Sequence, residues 1–202
     1  MAKPSAPSRE RIVAGAADLI SRRGLNAASI RELAKHAKAP LGSTYHYFPE
    51  GKQQVATEAV RYSGGAISRV LRKELEAGPV AALRAFLALW RGIVVDSGFR
   101  AGCPVLAVAV EEPPVDEASP ALLAAAEAFE DWERLLGDAL RERGVAPDQA
   151  LGLAALVVAA VEGATAMCRA KRSAEPLDRV AEQLEVAMAG ALGSTGRLAG
   201  NR

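Results

Sequence analysis

Histidine is almost missing from this chain: His36 and His46 are the only two among 202 residues, and both precede Glu50. The rest of the sequence therefore has no imidazole from which to build a catalytic triad, a histidine-bearing zinc cluster or an acid–base pair, and no enzyme, metal or cofactor is expected. Cysteine is equally scarce. Cys103 and Cys168 are too few and too far apart in sequence for a disulfide framework, and no signal peptide precedes the first helix, so a reducing cytoplasm is the expected compartment. Aromatic residues make up 4% of a chain that is 50% hydrophobic, with alanine, leucine and valine dominating, which favours close-packed helices over sheet. Gly51-Lys52 lacks the preceding strand and spacing of a phosphate loop. The most apolar run, 150–161, ends at Glu162 and is shorter than the ~20 residues that a membrane-spanning helix needs, so burial in protein is expected.

A net charge of +1 hides an asymmetry. Residues 1–62 carry ten Lys and Arg against five acids, Glu10, Asp18, Glu32, Glu50 and Glu58, or +5; the remainder carries 15 basic against 19 acidic, or −4. Such a split draws phosphate to one end of the chain. The acids of the remainder, such as Glu111, Glu112, Glu127, Glu130, Asp131 and Glu133, read mainly as solvated helix faces.

The basic end holds its densest information in 29–52, SIRELAKHAKAPLGSTYHYFPEGK. Ser29 and Glu32 form a Ser-x-x-Glu capping box, so a helix should begin at Ile30. Ile30, Leu33, Ala34 and Ala37 fall on one face of it, with Arg31, Glu32, Lys35 and Lys38 on the other. Pro40 biases Ala39 toward extended backbone, forcing a turn between about Ala37 and Leu41. The second helix, about 41–48, is too short to stand alone. Its Ser43, Thr44, His46 and Tyr47 are expected outside, where hydroxyl and imidazole groups suit phosphate oxygens and base edges in a DNA groove. Pro49 ends it, and Lys52 opens the next helix.

On these residues, and on Arg11, Ile12, Ala16, Ala17, Leu19, Ile20, Gly24 and Ala28 before them, the chain resembles the TetR family of bacterial transcriptional repressors. The resemblance implies an all-α fold, with a three-helix helix-turn-helix domain at 1–50 and a helical ligand-binding and dimerisation domain at 51–202. It also implies a double-stranded DNA operator as partner, with Ser29, Arg31 and Lys52 on phosphates, Ser43, Thr44 and His46 toward bases, and Tyr45 and Tyr47 contacting the backbone or bracing the helix. Where the family usually has a small-residue turn with glycine, this chain has Lys38, Ala39 and Pro40. Phe48-Pro49-Glu50-Gly51-Lys52 together with Gly102-Cys103-Pro104 is similar to a subgroup that controls drug-efflux genes.

Beyond the motif, Pro and Gly punctuate a run of helices at about 51–76, 79–96, 104–111, 119–143, 147–170 and 176–192, and 1–7 reads as a flexible basic arm. Gly64-Gly65 marks either a hinge or a place where another element packs closely. Leu122, Ala126, Phe129, Leu136 and Leu140 are expected to face inward from their helix. The helices at about 147–170 and 176–192 are the candidates for a homodimer, because Ala159, Ala160, Gly163 and Ala164 allow close approach and a two-fold pair doubles the contacts on a palindromic site. Phe86, Trp90, Cys103, Phe129, Trp132, Met167 and Cys168 could line a pocket for an apolar or aromatic effector, with Glu111 or Glu162 as a polar anchor, although ordinary core packing explains each of them singly. The expected function is a homodimeric repressor released by a small molecule, the alternative a DNA-binding protein without an effector, and a helical enzyme a remote third.

Overall fold

A computed structural model describes residues 9–112 and 119–199; the expected basic arm lies outside them. Among the described residues the chain forms helices α1 (Arg9–Arg23), α2 (Ile30–His36), α3 (Leu41–Tyr47), α4 (Lys52–Leu75), α5 (Pro79–Asp96), α6 (Pro104–Ala109), α7 (Pro120–Glu142), α8 (Pro147–Lys171) and α9 (Glu175–Ala199), and no strand. The all-α expectation holds. The chain divides into two compact units, one of residues up to Gly65 with Cys103–Ala128, the other of Ala66–Gly102 with Phe129 onward.

The first unit is built around α1, whose Ile12, Val13, Ala16, Leu19 and Ile20 recur at helical spacing and are buried. Gly24 ends it in the left-handed region at φ +77°, its N–H closing on the carbonyl of Ile20 at 2.8 Å. Gly15 lets α2 approach: a Cβ there would lie 2.8 Å from both Cα and Cβ of Ala37. The capping box forms as its sequence demands, Glu32 N–H donating to Ser29 Oγ at 3.2 Å and Ser29 N–H to Glu32 Oε2 at 2.9 Å. Gly64 is also a packing glycine, since a Cβ there would come within 2.7 Å of the Ala128 Cβ.

The turn after α2 carries its strain on a lysine. Lys38 sits at φ +51°, with Lys38 N–H donating to Lys35 O at 3.1 Å and Ala39 N–H to Ala34 O at 2.9 Å. This is a Schellman ending with lysine where glycine is the unstrained choice. Left-handed backbone costs a side-chain-bearing residue about 1 kcal/mol, part of which glycine returns through its freer unfolded state. Lys38→Gly should therefore raise stability in denaturant unfolding by roughly 0.5 kcal/mol or more. A loss of stability would show that the lysine side chain is needed for the turn.

The second unit centres on Phe86, Trp90, Trp132, Leu136, Leu140, Val157, Val161, Leu177 and Met188, all buried. Exposed ion pairs between Arg84 and Glu185 and between Arg91 and Asp178 link α5 to α9; in water such pairs add little to stability. Along α7 the buried stripe is Ala121, Ala125, Ala128, Trp132, Leu136 and Leu140, whereas Ala126 is exposed and Leu122 and Phe129 are half-buried. Leu136 and Leu140 thus face inward as expected, whereas over the first half of the helix the buried Ala121, Ala125 and Ala128 stand one residue before the expected Leu122, Ala126 and Phe129. Alanines stand on several sides of this helix, and the register is set by the large Trp132 instead. α8, at 25 residues, is by length and composition apolar enough to cross a membrane. Its apolar residues divide between a buried face and an exposed one. α9 continues past the expected end at Leu192, there being no proline to stop it.

Candidate nucleic-acid interface

α3 is anchored by two residues. Phe48 is buried beneath it, and Thr44 is 0% exposed, its hydroxyl donating to Pro40 O at 3.2 Å. Thr44 therefore does not face outward, contrary to the expectation that it meets bases. A threonine methyl facing the core with its hydroxyl bonded back one turn satisfies both halves of the side chain, which alternation of polar and apolar residues does not reveal. With Thr44 inward, the outward face of α3 is Gly42, Tyr45, His46 and the following Pro49. Tyr45 is 50% exposed, and His46 meets Tyr47 edge-on at 5.6 Å between ring centroids. Ser43 and Tyr47 flank this face, half-buried. Gly42 was not among the expected site residues. Its signal is that nothing lies within 4 Å of a Cβ built there, so packing does not require a glycine.

Around α3 the same unit exposes Arg31, Lys35 and Lys38. Ser29 is exposed, but its hydroxyl also donates to Glu32 Oε2 at 2.8 Å, so it caps α2 first. Lys52 is half-buried and points its Nζ to the carbonyl of Asn26 at 3.5 Å. Arg9, over the Phe48 ring at 5.4 Å, also pairs with Glu58, which ties α1 to α4. Asp18 accepts from Arg22 Nε at 2.9 and 3.0 Å, and its Oδ2 lies 2.6 Å from His36 Nε2. Burial raises the Asp18 pKa, but the hydrogen bonds from Arg22 and His36 outweigh it and hold the carboxyl below its usual value. His36 is thus occupied in joining α2 to α1. Glu32, held by the backbone and hydroxyl of Ser29, is likewise lowered.

The expected effector residues separate. Phe86, Trp90 and Trp132 are buried together in the second unit, edge-to-face, with centroids 6.3 Å apart for Phe86–Trp90 and 5.9 Å for Phe86–Trp132; Phe129 joins Trp132 at 5.4 Å. Cys168 is buried in α8 of that unit. Cys103 belongs to the first unit, where its sulfur caps α6 by accepting Leu106 N–H at 3.4 Å. Met167 is 48% exposed on α8 and lines no interior. Glu162 is buried in α8, whereas Glu111 accepts from two backbone amides of the α1–α2 turn. The Trp90 indole N–H is buried and has no acceptor among the described residues.

Residues 12–59 match the sequence model of the tetR family of bacterial regulatory proteins, and residues 79–183 match that of the C-terminal domain of LmrA/YxaF-like transcriptional regulators. A curated relative from Mycobacterium tuberculosis, described as an HTH-type transcriptional regulator, is 39% identical over 179 residues, covering 87% of this chain and 91% of its own. The regulatory protein TetR from Rhodobacter sphaeroides shares the fold at a TM-score of 0.79 and 21% identity, over 90% of this chain and 99% of that one. So does CifR, solved as a cysteine mutant complexed with double-strand operator DNA, at 0.71 and 22%, over 92% and 99%. With a helix-turn-helix whose capping box, turn and short outward helix all form, the chain is a transcriptional regulator with a DNA-binding head and belongs to the TetR family.

Proposed function

We propose that the protein is a cytoplasmic homodimeric repressor that reads a palindromic operator and is released by a small apolar or aromatic effector. The observation that carries the DNA side is the face of Gly42, Tyr45 and His46, turned outward within a stretch of the chain that exposes Arg31, Lys35 and Lys38. Ser43 lies beside that face, and Arg31, Lys52 and Ser29 flank it with groups suited to phosphate oxygens.

The dimer is supported by α8. Gly152, Leu156, Ala159, Gly163 and Met167 form an exposed stripe at helical spacing, with Leu156 51% exposed, and Val186 on α9 is 69% exposed. Small residues with large ones between them suit a second copy of the same helix pair, and leaving that stripe in water is unfavourable. Within the second unit, Phe86, Trp90, Phe129 and Trp132 are the residues that we assign to the effector. An effector bearing a hydrogen-bond acceptor would satisfy the Trp90 N–H, a group that otherwise costs about 1–3 kcal/mol to bury. By binding more tightly to a dimer whose heads do not match successive major grooves, it would lower operator affinity by that difference in binding energy.

Retardation of the DNA upstream of the protein's own gene, with aromatic compounds added in turn, tests this reading. Specific retardation relieved by a compound is the expected result; equal affinity for random DNA would overturn it. Lys52→Ala should weaken binding to every sequence and flatten the salt dependence, by about 0.9 in log–log slope for one lost phosphate. Ser43→Ala and His46→Ala should instead change which bases are preferred. A Lys52→Ala variant with unchanged salt slope would remove that residue from the phosphate contacts.

A further inference from the structure

Two residues beyond the end of α6, Glu111 reaches back to the turn between α1 and α2. Its Oε1 accepts Leu25 N–H and its Oε2 accepts Asn26 N–H, each at 2.7 Å, across 86 and 85 positions of sequence. The place it fills is shaped for it: Gly24 is left-handed at φ +77°, and a Cβ on that residue would come within 2.1 Å of Glu111 Oε1. Adjacent amides aimed at one point form an anion-binding concavity, and hydrogen bonds to an ionised acceptor are about twice as strong as neutral ones. Here the anion is the chain's own carboxylate. The same turn then presents Asn26 O to Lys52 Nζ at 3.5 Å. Glu111, the Leu25–Asn26 amides and Lys52 thus form one chain of polar contacts within the first unit.

We propose that Glu111 is a positioning residue for operator binding: it fixes the α1–α2 turn, and the turn aims Lys52 at a DNA phosphate. The carboxylate itself touches no DNA. This role rests on the DNA-binding reading above and extends it to a residue outside the helix-turn-helix sequence. Glutamine at this site would keep one carbonyl acceptor but turn an NH2 donor toward the other amide, so the turn would lose one of its two bonds.

The test is a double-mutant cycle on the full-length protein, using the upstream DNA fragment and reading affinity against salt. Glu111→Gln should lower affinity about tenfold, reduce the log–log salt slope by about 0.9, the share of one phosphate, and speed hydrogen exchange at the Leu25 and Asn26 amides. Lys52→Ala added to Glu111→Gln should then cause little further loss. Glu111→Asp, which keeps the charge but is one methylene shorter, should fall between wild type and Glu111→Gln, and provides the same comparison if the glutamine variant does not fold. Fully additive losses for Glu111 and Lys52, or a Glu111→Gln defect at unchanged salt slope, would overturn the positioning role while leaving the DNA reading intact. Wild-type protein that discriminates no sequence would overturn both.

Discussion

Ala159→Glu should leave the protomer folded but convert the protein to a monomer and lower operator affinity at least a hundredfold. Ala159 lies in the middle of the exposed α8 stripe, between Leu156 and Gly163. Glutamate is nearly as good a helix former as alanine, so the helix loses only a few tenths of a kcal/mol, and an exposed site accepts the charge. In a two-fold dimer the consequence is different. A residue at the centre of an isologous interface recurs from the partner near the same axis, so two carboxylates would be desolvated close together. Removing a single ion from water has an effective penalty of several kcal/mol, and like-charge repulsion adds to it. The consequence for DNA follows from linkage: two heads on one body bind the second half-site at high effective concentration, and uncoupling them forfeits about 10²–10⁴ in affinity with no change in any contact. Sedimentation and operator titration read the two effects separately. A variant that stays dimeric at micromolar concentration would move the interface off α8, and a monomer with undiminished affinity would remove the need for a pair.

Much of the fold was legible because its punctuation is chemical. Ser29 with Glu32, Gly24, Pro40, Pro79, Pro104 and Pro147 each act through a local backbone requirement, so helix starts and stops fall within a residue or two of where the sequence places them, except at the end of α9, where no such residue stands. Which face a helix buries was harder to read. Thr44 is polar by composition but buried in fact, and Ala126 is apolar but exposed, because small or amphipathic residues are indifferent to either side until a large neighbour decides. Phe48 and Trp132 decide here, and their weight is visible only when the helices meet. Met167 illustrates the converse: an apolar residue on a helix with two apolar faces gave no means of telling the inner face from the outer. The Glu111 clamp was least legible, since a carboxylate among other carboxylates carries no mark of the amides it will meet 86 positions away.

Gly42 separates folding from reading more sharply than any other residue of α3. A glycine inside a helix is about 1 kcal/mol less favourable than alanine, so one is expected only where the backbone bends or something presses close. Neither holds within the protein: Gly42 is helical, exposed, and open for at least 4 Å around a built Cβ. Gly42 therefore leaves space on the side turned away from the protein, and the outward face of a recognition helix near its amino end is where bases and backbone of DNA approach. Gly42→Ala should accordingly raise stability by up to about 1 kcal/mol, seen as a higher unfolding midpoint, while operator affinity falls. Gly42→Leu, also a good helix former, should remain as stable as wild type or more so, yet lose operator binding about a hundredfold or more, because its side chain occupies space that the duplex needs. Thr44→Ala is the opposing control: it removes a buried side chain and the hydroxyl bonded to Pro40 O, and should reduce stability and binding together. If Gly42→Leu bound the operator as tightly as wild type, the Gly42–Tyr45–His46 face would not be the surface that enters the groove.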